Sequence, residues 1–283
     1  MTDDRKRALV TALVVGALVV CSAVALASPL VDARPAHEIP VTEQPEADLS
    51  DPTADGWSSV PAADVALSSA PSSVPDAADT SIEQVHVQAV RSDGQFYVRL
   101  QWEDGTQNVS AESPRQFVDA AAVQFPADTS SRPPIAMGGR DNQVNVWYWS
   151  GNGGTQELLA GGAGSTTAFP SPSVAANATY EDGTWTVVYT RDIASSGANR
   201  TDLGSVDTLD VAFAVWNGGN GERAGRKAVS EWHYFLTGTG PQGPPYQTLL
   251  WTIAGVAIVA VVAVTAFGVL RARGSGGSEG GGS

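Results

Sequence analysis

The sequence predicts an all-β domain, an antiparallel β-sandwich over residues 56–238, set between segments that cannot form a core of their own. Three observations predict it. Apolar and polar residues alternate at period two through several short runs, turn signals rich in Asp and Gly separate those runs, and no stretch between them carries a long amphipathic helical repeat.

Taken in order, Arg5, Lys6 and Arg7 precede an uncharged run from Ala8 to Ala27 that closes on Ala25-x-Ala27 before Ser28. Residues 1–27 therefore read as a signal peptide or an N-terminal anchor. Residues 28–55 are rich in Pro, Ala and acid without periodicity, which is the composition of a disordered tether. The first clear strands follow. Val85, Val87 and Ala89 alternate with His86 and Gln88, and Phe96, Val98, Leu100 and Trp102 alternate with Tyr97, Arg99 and Gln101, across a Ser92-Asp93-Gly94 turn. Further strands are expected at Ala121–Phe125, Gln143–Trp149, Trp185–Arg191, Leu209–Trp216 and Val229–Phe235, with Asp182-Gly183 as another turn. This many short strands between Gly/Pro-rich loops suits a sandwich or a closed barrel.

Residues 239–248 read as a linker. Leu249 to Leu270 is uncharged, has Trp251 near one edge and is closed by Arg271 and Arg273, the pattern of a transmembrane helix with its C-terminal end in the cytoplasm. Residues 271–283 form a Gly/Ser-rich flexible cytoplasmic tail. With basic residues at both ends held inside, the main domain is expected on the extracytoplasmic side of the cell membrane.

Composition narrows the function. Lys and Arg number 16 against 30 Asp and Glu, a net charge of -14, so nucleic acid is not an expected partner. Lysine occurs only at Lys6 and Lys227, and an acidic surface with Arg in place of Lys is the habit of proteins that work in high salt. The single cysteine, Cys21, excludes an intrachain disulfide, a thiolate zinc site, a CxxC cluster ligand pair and covalent haem attachment through CxxCH. Histidine occurs only at His37, His86 and His233, which supports neither a His-rich metal site nor a Ser/His/Asp triad. Neither GxxxxGK[ST] nor a dinucleotide-binding GxGxxG after a strand is present.

Two residues stand alone in their type. Met137 is the only methionine after the initiator, and Lys227 is the only lysine past the leader. Met137 lies in Pro133-Pro134-Ile135-Ala136-Met137-Gly138-Gly139, a stiff approach followed by two residues without side chains, just before Trp147-Tyr148-Trp149. Such a loop lets a thioether project while Gly138 and Gly139 bring the backbone close to a flat ligand. A methionine at such a spacing also fills core gaps, and a lone lysine in Gly221-Glu222-Arg223-Ala224-Gly225-Arg226-Lys227 also suits a solvated loop.

The order of several motifs carries a resemblance. Asp51-Pro52 with Trp57, Leu100-Gln101-Trp102 with Asp104 and Thr106, Val123-Gln124-Phe125-Pro126, Met137-Gly138 leading to Val144-Asn145-Val146-Trp147-Tyr148-Trp149, Gly183-Thr184-Trp185-Thr186-Val187 with Arg191, and Glu222 to Trp232 follow one another across about Asp51 to Gly238. In this order they resemble the haem b-binding gamma subunits of type II dimethyl-sulfoxide-reductase-family molybdoenzymes, the ethylbenzene dehydrogenase, dimethylsulfide dehydrogenase, chlorate and selenate reductase type. With so acidic a composition, the chain is most similar to the branch associated with haloarchaeal respiratory nitrate reductase.

The resemblance implies a β-sandwich that holds one non-covalent haem b between the axial ligands Met137 and Lys227. Gly138 and Gly139 would permit close approach, and some of Trp147, Trp149, Trp232 and Tyr234 would wall the macrocycle. Strand alternation places Trp147 and Trp149 on one face and Tyr148 on the other, so only one set can face the cofactor. The implied function is electron transfer without substrate chemistry, between membrane quinol-oxidising cytochrome b/Rieske components and the iron-sulfur and molybdopterin catalytic subunits of nitrate reductase. Read from the residues alone, an extracellular carbohydrate-binding module or a cell-surface structural sandwich fits the same strand pattern, and His86 or His233 is open as a haem ligand in place of Met137.

Overall fold

The computed structural model describes residues 37–194, 197–204 and 207–237 of the chain. The expected leader, the first part of the tether, the linker, the membrane-spanning run Leu249–Leu270 and the tail lie outside them. Among the described residues no helix is long and apolar enough to cross a membrane.

The described chain is all-β. Its strands are β1 (Glu38–Glu43), β2 (Ala63–Ala66), β3 (Ser68–Ser69), β4 (Gln84–Ser92), β5 (Gln95–Glu103), β6 (Ala120–Pro126), β7 (Val144–Ser150), β8 (Gly154–Ala160), β9 (Thr166–Ala168), β10 (Val174–Glu181), β11 (Thr184–Asp192), β12 (Thr208–Trp216), β13 (Ala228–Val229) and β14 (His233–Leu236). Hydrogen bonding links them in the order β10-β11-β5-β4-β1-β14-β12-β6-β7-β8-β9, with β2, β3 and β13 at the margins. The path curls so that its two halves share one core. Val85, Val87, Val98, Leu100 and Trp102 from one half meet Val123, Phe125, Trp147, Val211 and Phe213 from the other.

The hairpins form where the sequence demands a left-handed turn. Asp93 and Gly94 have φ of 47° and 79°, and Asp182 and Gly183 have 49° and 78°. Positive φ at both central residues is the twist that lets two strands continue antiparallel, and Asp-Gly tolerates it. β4 then pairs with β5, and β10 with β11, in unbroken antiparallel register.

Two expectations need correction. The stretch read as tether contains β1, which pairs in parallel on both sides, through Glu38–Pro40 with β14 and through Val41–Glu43 with β4. The sheet is therefore not purely antiparallel. β1 seams the two halves of the fold, and Ile39 beneath it is fully buried. Pro40 hid this strand from the sequence pattern. It sits at the last pair with β14, just before the chain changes partner, where a missing N–H costs least. The second correction concerns Val229–Phe235, which is two short strands: β13 pairs with β12 and β3, and β14 pairs with β12 and β1.

Candidate functional site

The outward face of β6, β7, β8 and β12 carries the site. Because strand side chains alternate, β6 turns Ala121, Val123 and Phe125 into the core and leaves Ala122 and Gln124 outside; β12 does the same with Ala212, Ala214 and Trp216. Small side chains at 122, 212 and 214, beside Val146 on β7, make a low, smooth floor. Over it lies a predominantly apolar pocket of about 370 Å³, within the range of small-molecule sites.

Two loops roof this floor. The loop 133–139 brings in Met137, whose φ of 64° is unusual for a residue with a side chain. Its backbone is pinned: Met137 N–H donates to Ile135 O at 2.8 Å, and Gly162 N–H donates to Met137 O at 2.8 Å. Gly138 follows at φ 72°, where a Cβ would stand 2.9 Å from Asn142 O and 3.2 Å from Ala160 O. Only glycine fits there. The loop's entry is held by Trp232, whose indole N–H donates to Pro133 O at 3.1 Å, and by Gln124, whose amide donates to Ile135 O at 3.2 Å.

Lys227 enters from the other side, immediately before β13. Its carbonyl accepts from Ala70 N–H at 2.9 Å, which fixes the backbone. Its side chain is only 9% exposed, and Nζ stands 3.6 Å from Met137 Sδ and 4.9 Å from the centre of the Trp216 ring. Trp216 is itself held by its N–H to Ala224 O at 3.1 Å and by an edge contact with Tyr148 at 5.7 Å. Among the described residues no carboxylate pairs with Lys227. Burial pushes its pKa down to about 8, so the neutral amine is within reach near physiological pH.

The structure thus brings together Met137 and Lys227 and separates most of the other predicted site residues from them. Trp147 and Trp149 point to the opposite face of β7, into the core, where Trp147 packs on Phe125 at 4.7 Å and Trp149 on Trp185 at 4.9 Å. They do not line this pocket, because the residues that do on β7 are Val146 and Tyr148. Trp232 also stays out of the lining; it props the methionine loop. Gly138 and Gly139 shape that loop without facing the pocket, and Tyr234, on β14, pairs with Glu38 of β1 and Asp210 of β12 and does not line it. His86 sits on the other half of the fold against Asp64, and His233 packs against His37 at 5.0 Å. Neither histidine lines the pocket. Sequence reasoning missed Trp216 and the floor of Ala122, Ala212 and Ala214. Their signal is alternation within strands already recognised, read for small residues on the outward face.

A soft thioether and a desolvated amine face each other over a smooth apolar floor, and both, with the amine neutral, are donor types that soft or borderline metals accept. The contacts of Lys227 Nζ among the described residues are a sulfur and an indole face, with no carboxylate. The residues present fit a neutral amine better than a solvated cation.

The chain resembles known proteins along most of its length. The ethylbenzene dehydrogenase family model matches residues 54–170 and 168–228. The chain is 52% identical over 267 residues to a Haloferax mediterranei protein named "Putative respiratory nitrate reductase heme subunit ORF7", covering 93% of this chain and 95% of that one. It is 35% identical over 187 residues to the chlorate reductase subunit gamma of Ideonella dechloratans, covering 65% and 78%. A solved carbohydrate-binding module family 9 from Caldicellulosiruptor kristjanssonii, in complex with glucose, is similar at a TM-score of 0.41 and 10% identity over 74% of this chain and 100% of that one. A likeness that slight carries no argument.

Proposed function

The chain belongs to the ethylbenzene dehydrogenase family, as a haem subunit of that type, and from that premise we propose that it is an electron-transfer subunit holding one haem b in the pocket between Met137 and Lys227. The observation that carries the site assignment is the facing of Met137 Sδ and Lys227 Nζ at 3.6 Å over the alanine floor. When bound, the haem iron supplies a one-electron Fe(II)/Fe(III) couple.

The chain's residues act on that couple without substrate chemistry. Met137 offers a soft, weak donor that favours the reduced metal and raises the potential. Lys227 can offer a lone pair only after losing its proton, and the burial that pushes its pKa down assists that loss. Tyr148 and Trp216 exclude water from the rim of the pocket, and the left-handed backbone at Met137 sets the direction of the thioether.

Family membership supports the reading that the chain works with other subunits. Electrons pass between a quinol-oxidising cytochrome b/Rieske component in the membrane and the iron-sulfur subunit of a molybdopterin enzyme, a respiratory nitrate reductase. The domain lies on the extracytoplasmic side of the cell membrane, tethered by Leu249–Leu270, with residues 1–27 as leader or second anchor.

The deciding experiment is a reduced-minus-oxidised spectrum of the full chain, extracted from its native membrane at high salt, with a pyridine haemochrome assay on the same sample. A b-type spectrum at about one haem per chain is expected. Native material without haem would overturn the reading. Met137→Ala and Lys227→Ala should each abolish the native low-spin spectrum and His233→Ala should leave it. The reverse pattern would move the ligand to histidine.

A further inference from the structure

The chain carries three Asn-x-Ser/Thr sequences, Asn108-Val109-Ser110, Asn177-Ala178-Thr179 and Asn199-Arg200-Thr201, none with proline in the middle. Each is the acceptor pattern for an N-linked glycan in an exported chain. The pattern is short and arises by chance, so the fold has to sort the three. A folded chain carries the sugar well only where the asparagine stands clear in a surface loop.

Asn108 fails that requirement. It is half-buried, its N–H donates to Asp119 Oδ2 at 2.6 Å and its carbonyl accepts from Asp119 N–H at 2.8 Å. Its side-chain Oδ1 accepts from Thr106 Oγ1 at 2.7 Å, and a Cβ on Gly219 would stand only 2.9 Å from that oxygen. Asn177 is exposed but lies within β10, opposite Val188 of β11, and its amide donates to Ser50 O at 3.0 Å. A sugar on that nitrogen would crowd the chain at Ser50.

Asn199 differs from both. It is exposed, in the loop between β11 and β12, at the third position of a turn that Arg200 N–H closes on Gly197 O at 3.2 Å. Its φ of 65° is the left-handed backbone that asparagine tolerates better than most residues. The two residues after it are anchored. Arg200 donates through Nε to Glu157 at 3.0 Å and through Nη2 to Ser171 O at 2.6 Å, and its guanidinium stands 4.4 Å from the centre of the Phe169 ring. Thr201 is fully buried and donates to Pro126 O at 2.7 Å. Asn199 is thus held at the surface by neighbours that face inward.

We propose that Asn199, alone of the three, carries an N-linked glycan; the inference rests on the extracytoplasmic placement of the domain proposed above. In the transfer step the Asn199 amide Nδ2 bonds to the anomeric carbon of a lipid-phosphate-linked oligosaccharide. The bond from that carbon to the phosphate oxygen breaks with its electron pair staying on the phosphate, and the amide gives up one proton to a base. No atom changes oxidation state across the exchange. The Thr201 hydroxyl that completes the pattern is hidden in the fold, so transfer precedes the docking of this loop, while the chain emerges from the membrane. Residues 197–201 do not line the Met137–Lys227 pocket, so the modification leaves the cofactor untouched.

The test uses the full chain purified at high salt from its native membrane, with intact-mass measurement and mass spectrometry of its proteolytic peptides. The peptide that contains Asn199 should carry a mass increment of whole sugar residues, and those that contain Asn108 and Asn177 should not. Asn199→Asp keeps the shape, tolerates the left-handed backbone and has no amide to modify. It should fold, lose the increment and keep the parent's haem absorbance per chain. An unmodified Asn199 peptide, or an increment on Asn108 or Asn177, would overturn the proposal. Protease added to intact cells reads the placement separately. A domain digested from outside, with Asn199 bare, overturns this proposal alone; a domain digested only after the membrane is opened overturns the placement and the proposal with it.

Discussion

Trp147 and Tyr148 are neighbours in sequence and sit on opposite sides of the sheet, the indole against Phe125 in the core and the phenol against Trp216 over the pocket. Substitutions at the two should therefore separate stability from cofactor properties. Trp147→Ala removes a fully buried indole and should cost about 3–5 kcal/mol of unfolding free energy. Tyr148→Leu should stay within about 1.5 kcal/mol of the parent, because it exchanges one apolar surface for another, yet shift the absorption maxima or midpoint potential of the bound cofactor. Chemical denaturation and a redox titration read the two effects. A spectral change from Trp147→Ala in still-folded protein, with none from Tyr148→Leu, would place the ligand in the core.

How far each feature was legible depended on how loudly its residues speak. β4, β5, β7 and β11 alternate bulky apolar residues, and Asp-Gly turns close the β4–β5 and β10–β11 hairpins, so periodicity finds these strands to within a few residues. β1 escaped because its proline and acids resemble a linker; its strand character comes from partners on both sides, contributed from far along the chain. β10 reads Val-Ala-Ala-Asn-Ala-Thr-Tyr-Glu and borrows its order from β11 in the same way. In the site, Met137 and Lys227 were visible as rarities, and the family resemblance supplied their pairing. The alanine floor stayed silent because alanine suits almost any environment. Its meaning arises only when β6 and β12 lie side by side with Ala122 opposite Ala214.

The carboxyl of Glu157 gives a second, acid-range test. Burial alone pushes its pKa up, but hydrogen bonds from Ser173 N–H at 2.7 Å, Arg200 at 3.0 Å and the Asn145 amide at 3.1 Å outweigh it and hold the group below its ordinary 4.5. The folded chain therefore binds fewer protons than the unfolded one below that value. The resulting stability is complete above about pH 4.5 and is lost as pH falls through the depressed folded value. Glu157→Gln leaves Arg200 without its charge partner, and should cost about 3 kcal/mol at neutral pH. The gap between parent and variant should shrink as pH drops below 4.5 in denaturant titrations at fixed salt. A gap constant down to pH 3 would mean that the carboxylate's charge contributes nothing.

Burial makes Lys227 work against the fold while its amine is charged. In the unfolded chain its amine titrates near 10.5, in the folded haem-free chain near 8, because burial disfavours the ammonium form. Between those values the unfolded state holds the extra proton, so stability of the haem-free chain should rise with pH across that window. Below pH 8 the full penalty stands. A shift of this size corresponds to roughly 3 kcal/mol. Lys227→Met keeps the length of the side chain and removes the charge, so the haem-free variant should be more stable than the haem-free parent at pH 7, by up to that amount, with the advantage fading toward pH 10.5. Guanidinium titrations of both proteins at constant ionic strength provide the measurement. A variant that is less stable than its parent at pH 7 would show that the ammonium, through Trp216, holds the pocket together, and the reading of Lys227 as a neutral ligand kept ready by burial would fall.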